Sequence, residues 1–473
     1  MAKPVAQFSQ EPLTNRRIWF IYFPLALSWL FMAIEAPTSM AVLGLKPNIT
    51  VNNAAMLLLF AIAIFIESPV IDLLSTSTTL GTTRERWQSL SQFAWFMMGV
   101  VTITHAGVMF TPLYDAVVEL MKAKPEVADA AKLPLQIMTP WSALVGWRRY
   151  LQGIMIKQGV TRPISVGTLV RVLMIALVGF GLAFTTQLNG LVIVAIGLIC
   201  SVGSEAMFIH FASRPVIAKL PSDPDSHMSV KQLSAFHFPL TASTMLMLTT
   251  PVIIASALNR APSPLIASAA WQVAGSLIWI FRSMTFALPE AVISLYDPGA
   301  GKKLLLRFCM IVGGVLSLTM IVFHFAGIDY LVFRHIYNAE SEPAQMAKIA
   351  ILSCVAMPIV NALMSYYRGA LTAHHITWAR IIGIAVGLVS LLVGLGVGIK
   401  LGWLGVIYAG IGSTFAVLME ATALGVCYRI WSKNDAKKQA RLDAIAEPCP
   451  PVNLGVGGGA TDPAPVLSPD CDD

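Results

Sequence analysis

Charge is what this chain has least of. Only 12% of its 473 residues are Asp, Glu, Lys or Arg, about half the share in a typical soluble protein. A soluble globular domain of this length is therefore excluded. Cysteine is almost as scarce, with six residues and no CxxC pair, so neither a zinc site nor a redox couple is indicated. Cys200, Cys309, Cys354 and Cys427 lie in apolar segments, where a small buried residue is the ordinary reading. The chain has no HExxH, no carboxylate cluster inside an apolar run and no Walker A loop. The GVGGG stretch at 455–459 lacks the lysine. These absences argue against an ATPase and a metal-dependent enzyme, and no cofactor or metal is expected. The alternating ten-residue strands of an outer-membrane barrel are missing too. The apolar run from Ile18 is too long for the core of a cleavable signal.

Apolar residues are abundant instead, at 56%, with a mean hydropathy of +0.71. Runs of about 20 such residues recur along the chain, the length that crosses a bilayer as a helix. The expected fold class is an all-α polytopic membrane protein with twelve transmembrane helices in two pseudo-symmetric six-helix bundles. The spans fall at about 17–45, 53–75, 88–114, 134–156, 163–187 and 189–212. The second six fall at about 233–258, 264–296, 303–326, 346–372, 378–400 and 403–430. Between spans 3 and 4, the mixed-charge segment 115–133 reads as an exposed helical excursion.

The polar stretch 213–232 divides the chain, and the runs on its two sides resemble each other. A shift of 215 residues lays Phe23-Pro24-Leu25 on Phe238-Pro239-Leu240, Ser68 on Ser283 and Glu205 on Glu420. One offset that holds at both ends of the halves indicates duplication. The domains follow: an N-terminal tail at 1–16, a bundle at 17–212, a linker at 213–232, a second bundle at 233–430 and a disordered tail at 431–473. Paired membrane halves are the usual plan of secondary transporters, with the substrate site between them.

Basic residues set the orientation. With the N-terminus inside, inner segments hold 19 of the 32 Lys and Arg residues, outer segments hold 8, and five lie in spans. That bias places both termini and the linker in the cytoplasm. It also explains the net charge of +7 without a nucleic-acid partner. A plasma or bacterial inner membrane is the expected location, and a monomer the expected state.

A charge at the bilayer centre costs roughly 2.5–3.5 kcal/mol on insertion scales, so the few charges within spans are informative. Arg148 and Arg149 sit in span 4 beside Trp147 and Tyr150. Two adjacent arginines cannot both face lipid. Glu67 and Arg282 occupy equivalent repeat positions near mid-span, and an Arg282–Glu67 pair that an anion displaces is expected. With Arg368, these form the candidate substrate set. Glu35, Asp72, Glu205, Glu290 and Glu420 are candidates for coupling or structural charge. Blander readings stand beside these. Arg171 and Arg368 are near enough to span ends to snorkel. Asp72 and Glu290 suit caps or pairs with basic turns, and Glu205 and Glu420 suit pairing within their own bundles. His105, His210, His237 and His324 read as helix-to-helix hydrogen-bond partners rather than proton relays.

The six-plus-six pattern resembles the multidrug/oligosaccharidyl-lipid/polysaccharide (MOP) exporter superfamily, which includes the MATE transporters. Shorter motifs resemble the progressive ankylosis protein family: Pro69-Val70-Ile71-Asp72 with Arg84-Glu85-Arg86, then Arg368-Gly369-Ala370-Leu371-Thr372, Arg380-Ile381-Ile382 and Leu401-Gly402-Trp403-Leu404-Gly405. The segment 115–133 and the tail have no counterpart in that resemblance. The resemblance implies alternating-access export of small polyanions such as pyrophosphate, nucleotides or citrate. Guanidinium groups in spans agree with an anion, because they bind carboxylate and phosphate bidentately and stay charged. A proton or Na+ is the candidate coupling ion. Glu35 and Glu67 keep a cation or drug antiporter open, and a lipid-linked precursor flippase is a further rival.

Overall fold

The computed structural model describes residues 13–296, 301–374, 376 and 378–446. Among the described residues there is helix but no strand. The first half holds α1 (Asn15–Ala33), α2 (Glu35–Leu43), α3 (Ile49–Ile71), α4 (Leu73–Leu80), α5 (Arg84–Met109), α6 (Leu113–Leu120), α7 (Pro125–Ile137), α8 (Trp141–Lys157), α9 (Arg162–Thr185) and α10 (Gly190–Ile217). The second holds α11 (Val230–Leu258), α12 (Pro264–Ser283), α13 (Leu288–Leu295), α14 (Gly301–Phe325), α15 (Ile328–Leu331), α16 (Ser341–Ser353), α17 (Met357–Ala373), α18 (Trp378–Lys400) and α19 (Gly405–Ala446).

The 215-residue shift lays helix on helix. It carries the α1–α2 pair onto α11, α4 onto α13 end to end, and the start of α10 onto the start of α19. The halves therefore contain the same elements with no net insertion between them. Both halves break the span that begins with α3 or α12, and proline explains each break. A proline inside a helix lacks an N–H and frees the carbonyl four residues earlier. Pro69 frees the Phe65 carbonyl, which accepts the Ser68 hydroxyl at 2.7 Å. Pro289 frees the Thr285 carbonyl, which accepts the Ser365 hydroxyl at 3.2 Å. Pro37 acts likewise on Ala33, the last residue of α1.

Among the described residues, ten helices or continuous helix pairs are long and apolar enough to cross a membrane, and the pair α16–α17, bent by 43°, makes eleven. The expected twelfth span involves α8, which has 17 residues. At about 1.5 Å per residue it is shorter than the roughly 30 Å hydrocarbon core, and it carries both Arg148 and Arg149. The shift pairs α7–α8 with α16–α17, so a broken fourth span recurs in both halves. This corrects the expectation for 115–133. Its second part, α7, is not an exposed excursion, since Val127, Ala128, Ala131 and Leu135 are buried. The Tyr114 hydroxyl ties α6 to it through the Ala128 carbonyl at 2.6 Å.

One hydrophobic core runs through both halves at the face away from the linker, joining Met40, Leu58 and Ala61 to Ile254, Ala270, Phe333 and Tyr408. There the halves meet backbone to backbone. A Cβ on Gly44 would lie 2.2 Å from the Tyr337 carbonyl oxygen, and Asn338 donates to the Gly44 carbonyl at 3.0 Å. At the linker face the cores are separate. The start of α1 packs with the second half there, through Ile18, Tyr22 and Ala26. The start of α11 packs with the first half. His237 donates from Nε2 to the Pro69 carbonyl at 2.8 Å and sets Nδ1 2.9 Å from the Thr76 hydroxyl.

The linker is held by the turn before α5. Ser222 and the Asp223 amide both donate to Glu85, at 2.6 and 2.8 Å. The end of the chain forms a second compact unit from Arg429. The expectation of a disordered tail from 431 is corrected as far as Ala446, where the chain is still helical. Its Ala, Lys and Arg residues are good helix formers. Residues 447–473 lie outside the described residues.

Candidate functional site

The charges of the first half close on one another. Arg148 on α8 meets Glu205 on α10 at 2.7 Å, with Glu205 fully buried. Gln152, one helical turn beyond Arg148, donates to the other Glu205 oxygen at 3.1 Å. Arg171 on α9 stands 3.7 Å from Glu205. It also forks onto Glu35, with Nε 3.1 Å from Oε1 and Nη2 against Oε2. Ser201 donates to Glu35 at 3.2 Å. Glu67 on α3 accepts the Trp141 indole N–H. Arg149 makes no hydrogen bond or ion pair among the described residues, and its buried Nε lacks a partner. The charges around it are Arg148, Glu205, Glu67 and Arg171. Three arginines thus face three carboxylates, a balanced arrangement that a low-dielectric interior tolerates.

The second half keeps one part of this network. Glu420, the counterpart of Glu205, pairs with Arg368 on α17 through Nε at 3.1 Å and through Nη2. The arginine has moved: the counterpart of Arg368 is Gly153, five residues beyond Arg148, about 7.5 Å along the helix. The other charges are gone or changed. Thr250 stands where the first half has Glu35, Val386 where it has Arg171, Met364 where it has Arg149, and Arg282 where it has Glu67.

The second half has a cavity of about 330 Å³, and two of these changed positions, Thr250 and Arg282, line it. Thr250 on α11, Trp279 and Arg282 on α12, Cys354 between α16 and α17, and Ser413 and Glu420 on α19 line it. Leu57 is the first half's only contribution to its wall. The cavity therefore lies mainly within the second half and not between the halves as expected. Arg282 is half-buried and makes no hydrogen bond or ion pair among the described residues, and its buried Nε is unpartnered. Its guanidinium lies over the Phe286 ring, 5.6 Å from the centroid. Trp29 and Trp279 pack on that ring at 5.4 and 5.3 Å. Arg282 and Glu420 line the cavity, and because Arg368 outside its wall already holds Glu420, the group carries one positive charge in excess.

The expected residues thus separate by position. The Arg282–Glu67 pair is corrected: Glu67 bonds Trp141, and its electrostatic neighbours are Arg148, Arg149 and Arg171. Snorkelling is corrected for Arg171, which is buried against Glu35, and for Arg368, which is paired with Glu420. Arg148 is committed to Glu205. Asp72 is half-buried where α3 meets α4, with a buried Oδ2 that lacks a hydrogen bond. Glu290 is exposed in the first turn of α13, where a carboxylate is favoured. Trp141, Gln152, Ser201, Thr250 and Trp279 were not anticipated. The shift by 215 residues carries the signal for Thr250, once Glu35 is known to be an ion-pair partner.

No protein-family model matches the chain, and no curated protein does. Solved structures do. A structure described as the inward-facing conformation of a multidrug resistance MATE family transporter of the MOP superfamily superimposes with a TM-score of 0.71 at 14% identity, over 87% of this chain and 98% of that one. The lipid II flippase MurJ in an inward closed conformation gives 0.66 at 13% identity, over 86% and 87%. A MOP superfamily transporter from Pyrococcus furiosus, whose structure is described as having a reversed binding-pocket polarity that suggests a different function, gives 0.58 at 14%, over 89% and 98%. At these identities the likeness establishes architecture alone: this chain has the fold of MATE transporters and MurJ.

Proposed function

We propose that this chain is a multi-pass secondary transporter that moves small organic or phosphate-containing anions by alternating access. The observation that carries this reading is Arg282, a cation with no hydrogen bond or ion pair among the described residues, on the wall of a 330 Å³ cavity. Its place in the other half is filled by Glu67, a carboxylate that Trp141 bonds and three arginines surround. A carboxylate or phosphate group entering the cavity would take the role that Glu35 and Glu67 play in the first half. The cavity is near the lower end of the range for small-molecule pockets, about 300–1,000 Å³. That size suits citrate or pyrophosphate better than a nucleotide. The class itself rests on the resemblance to the progressive ankylosis family. We place both termini in the cytoplasm on the basic-residue bias, and coupling to H+ or Na+ at the first-half carboxylates. The reversed pocket polarity described for the Pyrococcus transporter supports the idea that pocket polarity varies within this fold.

One feature favours a second reading. Most of the cavity wall is apolar, with Trp271, Trp279, Met247 and Ile254, which suits the amphipathic drugs or lipid-linked precursors associated with the structural neighbours. Uptake of pyrophosphate, citrate and a cationic dye into proteoliposomes separates the readings. The anion reading expects saturable anion uptake, with Arg282→Gln weakening anion binding by about 10- to 100-fold, the value of one charge-assisted contact. Dye uptake without anion uptake, unaffected by Arg282→Gln, would sink it.

A further inference from the structure

A second cavity, of about 340 Å³, opens at the linker face of the first half. Arg84, Trp87, Tyr150, His210, Ser213 and Arg214 supply its polar wall, and no carboxylate lines it. The nearest acidic candidate in sequence, Glu85, is engaged by Ser222 and the Asp223 amide. Arg84 and Arg214 form no ion pair among the described residues. Arg214 donates to His210 Nε2 at 3.2 Å and lies over Phe211, 4.9 Å from the centroid. Because Nε2 accepts, Nδ1 carries the proton, and that buried N–H has no partner. The Trp87 indole N–H is also buried and unpartnered. Nearby, Trp147 packs on the His210 ring at 5.4 Å and leaves its own indole N–H unpartnered.

Buried donors without acceptors are rare, because each forfeits a hydrogen bond it had in water. Here two residues that carry such donors, Trp87 and His210, line one cavity with two arginines and no acid. The N-terminus of α5 reinforces this potential, and the C-terminal end of α10 opposes it. The helix ends therefore offset each other and the arginines decide the sign. We propose that this pocket binds a phosphate group, with Arg84 and Arg214 contacting its oxygens and Trp87 and His210 turning their unpartnered N–H groups toward it on binding. Basic pockets between helices at a membrane face suit phospholipid head groups. Phe211 and Met207 on α10, 53% and 46% exposed, offer apolar contact for acyl chains.

The test uses the full chain in detergent, with thermal unfolding and native mass spectrometry. The probes are phosphatidic acid, phosphatidylcholine and inorganic phosphate. Phosphatidic acid should raise the melting temperature and remain bound in the gas phase. Arg84→Gln and Arg214→Gln should each weaken this about tenfold, as expected for a lost charge-assisted contact. Arg214→Lys should keep part of it, and Arg282→Gln, in the other cavity, should keep all of it. An equal response to inorganic phosphate would make the source a soluble anion and support the site. No response to either phosphatidic acid or phosphate, or a response that both glutamine variants retain, would overturn it.

Discussion

Replacing Glu205 by Leu should damage the fold more than replacing Arg148 by Leu, and replacing both should repair much of the damage. At 2.7 Å and an effective dielectric of about 20, the pair attracts by roughly 6 kcal/mol. Desolvation of the two ions costs several kcal/mol each, so the net value of the intact pair is small. Breaking it is another matter, because the remaining charge stays buried, at about 3–5 kcal/mol. The surroundings make the two single variants unequal. Without Glu205, Arg148 loses the one side-chain hydrogen bond it makes among the described residues. Without Arg148, Glu205 keeps Gln152 at 3.1 Å and Arg171 at 3.7 Å. Glu205→Leu should therefore lower the melting temperature by roughly 5–10 °C, taking about 2 °C per kcal/mol for a chain of this size. Arg148→Leu should cost about half as much. The double variant should lie above Glu205→Leu. Thermal unfolding of detergent-purified protein, with monodispersity checked by gel filtration, reads all three. Equal single effects that simply add in the double variant would refute the reasoning, because they would mean that the two side chains do not share one interaction.

Glu420→Gln should tighten anion binding several-fold, since it removes the cavity's only carboxylate and frees Arg368; calorimetric titration with citrate and pyrophosphate checks this, and weaker binding would argue against an anion in that cavity. Gly44→Val should prevent the halves from meeting at the face away from the linker, because even a Cβ there would lie 2.2 Å from the Tyr337 carbonyl oxygen. A cysteine placed at Ser413 should then become reactive to a membrane-impermeant thiol reagent added from that side, whereas unchanged reactivity would show that the contact does not gate access. His237→Ala should destabilise by about 1–3 kcal/mol, since it removes the hydrogen bond to the half-buried Pro69 carbonyl and the contact with the buried Thr76 hydroxyl. A His237→Gln variant should recover part of the loss in a denaturation series.

Much of the architecture was legible because apolar run length and a constant offset are properties of the sequence itself. The shift that aligned Phe23-Pro24-Leu25 with Phe238-Pro239-Leu240 aligns α4 with α13 end to end. The broken fourth span was not legible. Segment α7 carries Glu126, Asp129 and Lys132, which reads as solvated surface, while its Val127, Ala131 and Leu135 stripe packs inward. Ion pairing was only half legible. Glu205 and Glu420 share a repeat position, which suited pairing within each bundle, but their arginines sit at non-equivalent places. Arg171 and Glu35 are 136 residues apart, and nothing local announces that contact. The cavity could not be read at all, because its wall draws on Leu57 and on residues of α11, α12, α18 and α19 that are far apart in sequence.

The asymmetry between the halves has a direction. Glu35 with Arg171 in one half corresponds to Thr250 with Val386 in the other. Exchanging a whole buried ion pair for neutral residues changes stability little. Arg148 with Glu205 corresponds to Arg368 with Glu420, a pair retained with a shifted arginine. These two differences leave no charge uncompensated. The third does: Glu67 faces arginines and bonds Trp141, whereas Arg282 at the same place has a ring face beside it and, as its acidic neighbour, a Glu420 that Arg368 already holds. A cation–π contact returns about 0.5–2 kcal/mol, against roughly 2.5–3.5 kcal/mol for a charge at mid-span. The ring lowers the cost without removing it. Neutral Gln at this position should therefore raise the melting temperature while it weakens anion binding. A variant that loses both stability and binding would mean that Arg282 serves the fold. Opposite signs in the two measurements would mean that its cost is offset only when an anion enters the cavity.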